Sequence, residues 1–404
     1  MNERVAFSTD FHHVFETEFF RTCSVWHRRG TLSQSMAASP ELRTLLGGVS
    51  RSFAVCIDRL DQPEADWVAL AYLLCRVSDT IEDSPWVRVE DQASAFSAWL
   101  RALSGCAQLS GDLADELRRW LAQVPTESPD ERRLLSEAPQ LLARLSELPI
   151  GAREPILNGV CSMTKGMQHF SQKAKGSVRL KLRSALEVNQ YCFFVAGLVG
   201  EILTRLFEEA GPFSGGSQEQ AAVRMVRAHH FGLFLQKINL LKDQRVDEAQ
   251  GRHLVLDRED LLSSLVVHVR AARDYILDIP PQGRAFQVFC AWSLGLAVLS
   301  LATLDEGYAK GGVGKITREE TMRLFEAIDV WSPSELGAQM SLWIDTLPES
   351  PGGESVTETD EALSSEEIES LYSGALCQQD LVALGVLSKT QRRGVEWTAS
   401  LSSR

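Results

Sequence analysis

Two stretches of this chain set a pair of aspartates four residues apart inside helical sequence that is otherwise apolar, and a fold must find both pairs a place outside its core. The first runs Tyr72-Leu-Leu-Cys-Arg76-Val-Ser-Asp79-Thr-Ile-Glu-Asp83. Residues four apart on a helix lie ~40° apart round the axis and ~6 Å apart along it. Tyr72, Arg76, Asp79 and Asp83 therefore share a face, while Leu73, Leu74, Val77 and Ile81 take the others. The second runs Gln236-Lys-Ile-Asn239-Leu-Leu-Lys242-Asp243-Gln-Arg-Val-Asp247, where Gln236, Asn239, Asp243 and Asp247 align and Leu235, Ile238 and Leu241 pack elsewhere. Taken singly, Asp-x-x-x-Asp is ordinary spacing for surface salt bridges. Two copies, each with aligned polar partners in an apolar helix, point to a site.

If the two faces meet, four carboxylates converge. Two unit charges ~5 Å apart at an effective dielectric of ~20 repel by roughly 3 kcal/mol, so such a cluster calls for cations. Hard oxygen ligands suit Mg²⁺, with Mn²⁺ as a substitute, and Mg²⁺ completes its shell with phosphate oxygens and water. Asp79, Asp83, Asp243 and Asp247 are thus the expected metal ligands, bridging metal to a diphosphate and helping it leave an allylic carbon. Arg76, Arg51 and Lys242 could stabilise the departing anion.

The rest of the chain reads as all-α. Helical periodicity runs through Glu41–Asp58, Ala65–Asp83, Asp91–Ser104, Gly111–Ala122, Asp130–Glu147, Glu154–Gln172, Ser184–Glu209, Gln218–Asp247, Arg258–Leu277, Arg284–Leu304, Arg318–Asp329 and Ser332–Thr346, with almost no period-two alternation. Residues 1–347 are expected to form one catalytic domain. Pro348 to Ser370 turns Pro-, Gly-, Ser- and acid-rich, an acidic flexible linker. Residues 371–404 then form a short, dispensable tail in which an amphipathic stretch ends near Leu387. No window reaches the ~20 apolar residues of a spanning helix, and Met1 to Phe20 lacks an apolar signal core. A cytoplasmic monomer is expected, soluble or in peripheral contact with a membrane that supplies an apolar substrate. The net charge of −13 argues against nucleic acid as a partner. Eight scattered cysteines with no CxxC pair read as free thiols in a reducing compartment.

At these residues the sequence resembles the squalene/phytoene synthase family, with matching blocks in order over most of Leu45 to Leu324. Ser50-Arg51-Ser52-Phe53-Ala54 resembles the block that helps hold diphosphate, and Tyr72 to Asp83 the first aspartate-rich motif. Tyr191-Cys-Phe-Phe-Val195-Ala196-Gly197-Leu-Val-Gly200 resembles the central helix, whose tyrosine is implicated in the first half-reaction and whose small residues make room for prenyl chains. Gly232 through Asp247 resembles the second motif, and Leu235-Gln236-Lys237 is nearer its squalene-forming than its phytoene-forming branch. Phe289-Cys290-Ala291 resembles a block whose aromatic side chain shields a carbocation. Val313-Gly-Lys315-Ile-Thr-Arg318 resembles a loop contributing to NADPH binding.

The resemblance implies an isoprenoid-synthase helical bundle around a central cavity. The implied reaction is head-to-head condensation of two farnesyl diphosphates to presqualene diphosphate, then NADPH-dependent reduction to squalene. A phytoene or dehydrosqualene synthase acting without NADPH is the nearest alternative, and a non-catalytic binder of prenyl diphosphates a more distant one. Catalytic roles fall to Tyr191, Arg76, Phe289, Asp79 and Asp83, and substrate binding to Ser50, Arg51, Ser52, Phe53, Tyr72, Val195, Ala196, Gln236, Asn239 and Lys242. NADPH would be held by Lys315 and Arg318, which otherwise are solvated charges.

The chain departs from the family pattern in four places. Lys242 stands for an arginine, which keeps charge but loses the fork, and Val246 for a glutamate; Phe193 replaces a polar residue, and Glu201 follows Gly200. Gly307 to Lys315 is no P-loop, since Ala309 and Ile316 break the pattern. His229 and His230 are adjacent and point to different helix faces, which disfavours a metal site. Lys173, Lys175, Arg179, Lys181 and Arg183 form a basic stretch, a solvated face or a flap over diphosphate or NADPH.

Overall fold

The computed structural model describes residues 38–109, 111–173, 179–213, 216–304, 316–345, 347 and 362–388, without the side chains of Arg51 and Ala302. The described chain is helical almost throughout. In order come α1 (Pro40–Val49), α2 (Arg51–Ile57), α3 (Glu64–Asp83), α4 (Val89–Ser104), α5 (Gly111–Leu121), α6 (Pro129–Glu147) and α7 (Ile150–Ser171). There follow α8 (Ala185–Cys192), a π-helical turn (Phe193–Gly197), α9 (Leu198–Glu209), α10 (Gln218–Ala249), α11 (Arg258–Leu277), α12 (Arg284–Ala302), α13 (Arg318–Val330) and α14 (Pro333–Asp345). Two short helices, α15 (Ser365–Leu371) and α16 (Gln378–Ala383), end the described chain.

The expected single helix Glu41–Asp58 is two helices. Ser50 adopts an extended conformation, and its hydroxyl accepts from Phe53 N at 3.3 Å, ending α1 and capping α2. Periodicity does not reveal such a break, because the apolar positions stay in phase across it. Similar side-chain caps start α6, α10, α11 and α13, at Ser128, Ser217, Asp257 and Thr317.

The 32-residue α10 is the axis of the bundle, with α11, α9 and the π turn packed along it. The layer beyond contains α7, which touches α9, α3 and α4. Where α10 crosses the run α8–α9, two glycines set the separation. A Cβ on Gly232 would stand 2.2 Å from Ala196 O, and one on Gly200 would stand 2.1 Å from Ala228 O. Neither neighbour is a movable side-chain end, so the close approach depends on glycine at both places.

Among the described residues, two helical stretches are long and apolar enough to cross a membrane, Ala185–Glu209 at mean hydropathy 1.3 and Pro281–Leu301 at 1.5. This differs from the sequence expectation, which looked for an unbroken apolar run. Both are mostly buried inside the bundle, as core helices are.

Residues 348–361 of the expected linker lie outside the described residues. Residues 362–388 pack on the bundle: Leu363, Ile368, Tyr372, Leu376, Leu381, Leu384, Val386 and Leu387 are buried in the same apolar cluster as the core of α3 to α14.

Candidate active site

The two stripes face each other. Asp79 and Asp83 close the C-terminal end of α3, and Asp243 and Asp247 close that of α10. The charge of Asp83 is felt at both Asp243 and Asp247. The rotation of α3 is fixed from behind, where buried Ser78 bonds Thr164 at 2.8 Å and accepts from Trp99 Nε1 at 3.0 Å.

Between the stripes stands a residue that the spacing argument does not contain. Arg252 is buried, donates to Asp83 Oδ1, and places Nε 3.8 Å from Asp247 Oδ1. Its Nη2 donates to Tyr191 Oη at 2.8 Å. Tyr191 Oη donates in turn to Glu82 Oε2 at 3.4 Å. A two-residue parallel ladder, Leu180–Lys181 against Arg252–His253, anchors Arg252 to the chain before α8. Gly251, at φ +78°, supplies the left-handed turn that leads from α10 into the ladder. The same ladder holds Arg179, which donates to Ser84 O at the end of α3 and to the carbonyls of Glu82 and Asp83 at 3.4 Å. A cation there meets the negative end of the α3 dipole.

Burial pushes the Asp79 carboxyl up to about 7, against the opposing pull of Arg76. It lifts Asp247 to about 6 against Arg252, and raises Asp243 against Lys242. Glu82 is raised by burial, again against Arg252, and Tyr191 is held well above the ordinary phenol range by burial and by Glu82. Burial penalises the charged form of each of these carboxyls, and a bound cation would offset that penalty. Asp79 keeps 34% of its side-chain surface open and Asp83 50%, so water and an ion can reach them. Among the described residues no three acidic, histidine or cysteine side chains close on one point. Carboxylate oxygens within reach of water are the hard donors that suit Mg²⁺, which commonly takes one or two carboxylates and completes its shell with phosphate oxygens and water.

The other expected residues fall into groups. Tyr72 lies against Ser50, Arg76 and Asp79, and its ring is 5.6 Å from that of Phe53. Arg76 donates to Glu131 at 2.7 Å and stands 3.9 Å from Asp79. Ser52 is exposed on the first turn of α2, and Arg51 opens that helix. Val195 and Ala196 are half-buried in the π turn; Gln236 and Lys242 are half-buried and Asn239 exposed along α10. Phe289 is buried in an aromatic cluster, its ring 6.1 Å from Phe286, which stacks on Phe207 at 3.5 Å. Lys315 lies outside the described residues, and Arg318 is exposed at the start of α13. Of the basic stretch, Lys173 pairs with buried Glu187 at 2.7 Å while Arg179 reaches the site. The two histidines do diverge, His229 toward Glu201 and His230 toward His268.

Arg252, Glu82 and Glu131 were not singled out in the sequence, whereas Arg179 stood in the basic stretch read as a solvated face or a flap. Glu82 had a signal, since it lies within the first motif. Arg252, beyond the end of α10, had none. A separate cavity of about 500 Å³, lined by Cys106, Gln108, Leu109, Arg118 and Pro139 among others, shares no residue with this site.

Residues 46–267 match the family model described as squalene/phytoene synthase. Squalene synthase of Schizosaccharomyces pombe is 28% identical over 209 residues, covering 52% of this chain and 42% of that protein. Squalene synthase of Homo sapiens is 30% identical over 210 residues, covering 51% and 44%. The chain thus aligns with less than half the length of these curated relatives. A solved structure of TcSQS with a ligand superposes with a TM-score of 0.60 at 23% identity, covering 85% of this chain and 97% of that one, which shows a shared fold. Both aspartate stripes, Tyr191 and Arg252 lie inside the matched span, which takes in more than half of the sequence, and on that ground the chain belongs to the squalene/phytoene synthase family.

Proposed function

We propose that the chain joins two farnesyl diphosphates head to head into presqualene diphosphate and then, with NADPH, reduces it to squalene. One observation carries the reading: a single buried guanidinium, Arg252, ties Tyr191 to one aspartate of each stripe, so acid stripes and reacting side chain belong to one site. The names of the aligned relatives support it, although they are aligned over less than half their length.

Ionisation of an allylic diphosphate requires that the leaving charge be met as it develops. Mg²⁺ held by Asp79, Asp83, Asp243 and Asp247 would supply that neutralisation. Arg252, Arg76 and Lys242 add donors, with Ser50, Arg51 and Ser52 at the start of α2. Released from its carboxylates, the Arg252 fork is free to turn to phosphate oxygens. Tyr191 stays a neutral phenol, its oxygen accepting from Arg252 and donating to Glu82. A proton lost when the cyclopropane closes then has a two-bond route through the Tyr191 hydroxyl to the Glu82 carboxylate. The rings of Phe53, Tyr72 and Tyr191 offer π faces to the cation. Lys315 and Arg318 would hold NADPH phosphates.

The test is to incubate purified protein with farnesyl diphosphate and Mg²⁺, with and without NADPH, and identify products by mass. Squalene only with NADPH, and presqualene diphosphate without it, is expected. A conjugated C30 hydrocarbon regardless of NADPH would assign the dehydrosqualene reaction instead. No product from farnesyl or geranylgeranyl diphosphate would overturn the enzymatic reading.

A further inference from the structure

Residues 362–388, which span the end of the expected flexible linker and the start of the expected tail, are tied to the helix that carries Tyr191 through buried polar atoms. Gln190 is fully buried, and its side-chain amide makes three hydrogen bonds. Nε2 donates to Leu363 O at 2.9 Å and to Val386 O at 3.1 Å, and Oε1 accepts from Leu363 N at 2.8 Å. Both ends of the segment 362–388 therefore close on one side chain. Beside it, Asn189 Nδ2 donates to Gly385 O at 3.2 Å; Gly385 has φ +69°, and a Cβ there would stand 2.8 Å from that nitrogen.

The middle of the segment is held beyond the π turn. Tyr372 Oη donates to Glu201 Oε2 at 2.6 Å, Ala375 N to Glu201 Oε1 at 2.9 Å, and Leu376 N to Tyr372 Oη at 3.0 Å. His229 of α10 places Nε2 3.3 Å from Glu201 Oε2. Phe193 stacks on the His229 ring at 5.3 Å and meets Tyr372 edge-on at 5.2 Å. Phe193 and Glu201 are two of the positions where the chain departs from the family pattern, and here both serve the contact with the segment.

A leucine would fill the volume of Gln190 as well. What the amide adds is direction. Adjacent residues point ~100° apart round a helix, so fixing Gln190 in backbone-like bonds on one side fixes where Tyr191 projects on the other, toward Glu82 and Arg252. The π turn follows at once, a one-residue widening of a kind that clusters at functional sites. It is gripped before its start by Gln190 and after its end by Glu201.

We propose that residues 362–388 form an intramolecular brace and that Gln190 is a positioning residue, setting the rotation of the helical turn that presents Tyr191 to the site. The importance of that rotation for turnover rests on the catalytic reading above; the placement of the ring does not.

The 404-residue chain has five tyrosines, so 3-fluorotyrosine labelling gives few ¹⁹F resonances, assignable by replacing each with phenylalanine in turn. Gln190→Leu is expected to shift the Tyr191 and Tyr372 resonances. It should also lower kcat by about tenfold, as misplaced reacting groups do, while KM for farnesyl diphosphate stays within about twofold. Ile368→Ala opens a cavity within the segment away from the amide; it should lower the thermal midpoint yet leave the Tyr191 resonance in place. An unmoved Tyr191 resonance in Gln190→Leu overturns the proposal, as does a shift equal in the two variants. Should Gln190→Leu fail to fold, Glu201→Gln loosens the other grip with its shape kept, and an unmoved Tyr191 resonance there is equally fatal. A shifted resonance in a protein whose parent makes no product would retain the brace and reject the catalytic reading.

Discussion

At the scale of single residues, Arg252 occupies the place between the stripes that a cation would share. Its fork meets Asp83 and Tyr191, and Asp247 is within 3.8 Å. Arg252→Met should therefore tighten divalent-ion binding in the absence of diphosphate while lowering the rate of diphosphate release. Calorimetric titration with Mn²⁺ and a diphosphate-release assay check the two halves, and weaker Mn²⁺ binding would refute the first. The raised carboxyls carry a pH prediction. Asp79 is at about 7 and Asp247 at about 6 in the fold, both raised from 3.8. Below about pH 4 folded and unfolded chains both hold these protons; above it the unfolded chain releases them first, so their contribution to stability falls until the folded carboxyls also ionise. The metal-free protein should thus lose thermal stability between about pH 4 and pH 7, and saturating Mg²⁺ should flatten that slope. A stability that rises over this range without metal would contradict the assignment. The aspartates were legible because helical spacing alone puts them on one face. Arg252 was not, because its contacts follow from a two-residue ladder joining segments about seventy positions apart.

At the scale of elements, helix existence was readable from periodicity, and Arg258–Leu277 emerges with both expected ends. The break at Ser50 was not readable because the apolar positions stay in phase across it, nor was the π turn at Phe193–Gly197, because residues 193–200 are apolar or small on every face. The crossing at Gly200 and Gly232 gives a sharp test. Gly232→Ala places a methyl 2.2 Å from a backbone oxygen that cannot step aside. It should cost roughly 1–3 kcal/mol, as overpacking does, seen as a lower urea midpoint at unchanged slope. An unaffected midpoint would mean that the two helices can separate freely.

At the scale of the whole molecule, most of the described cysteines lie inside the bundle. Cys56, Cys75, Cys106, Cys192 and Cys290 are buried, and burial pushes the Cys56 thiol up to about 12. A thiol reagent should find these five silent in the native protein and titrate all eight only in denaturant; fast native modification of more than three would contradict this burial. The sequence by itself determined the all-α class, most of the helices and the two acidic stripes, because each follows from local periodicity that any compact fold must respect. Only the tertiary structure decided that Arg252 joins the stripes, that Gln190 and Glu201 receive residues 362–388, and that Phe193 and Glu201 depart from the family pattern where that segment docks. Those contacts span up to 196 positions of sequence, and no local spacing carries information over that distance.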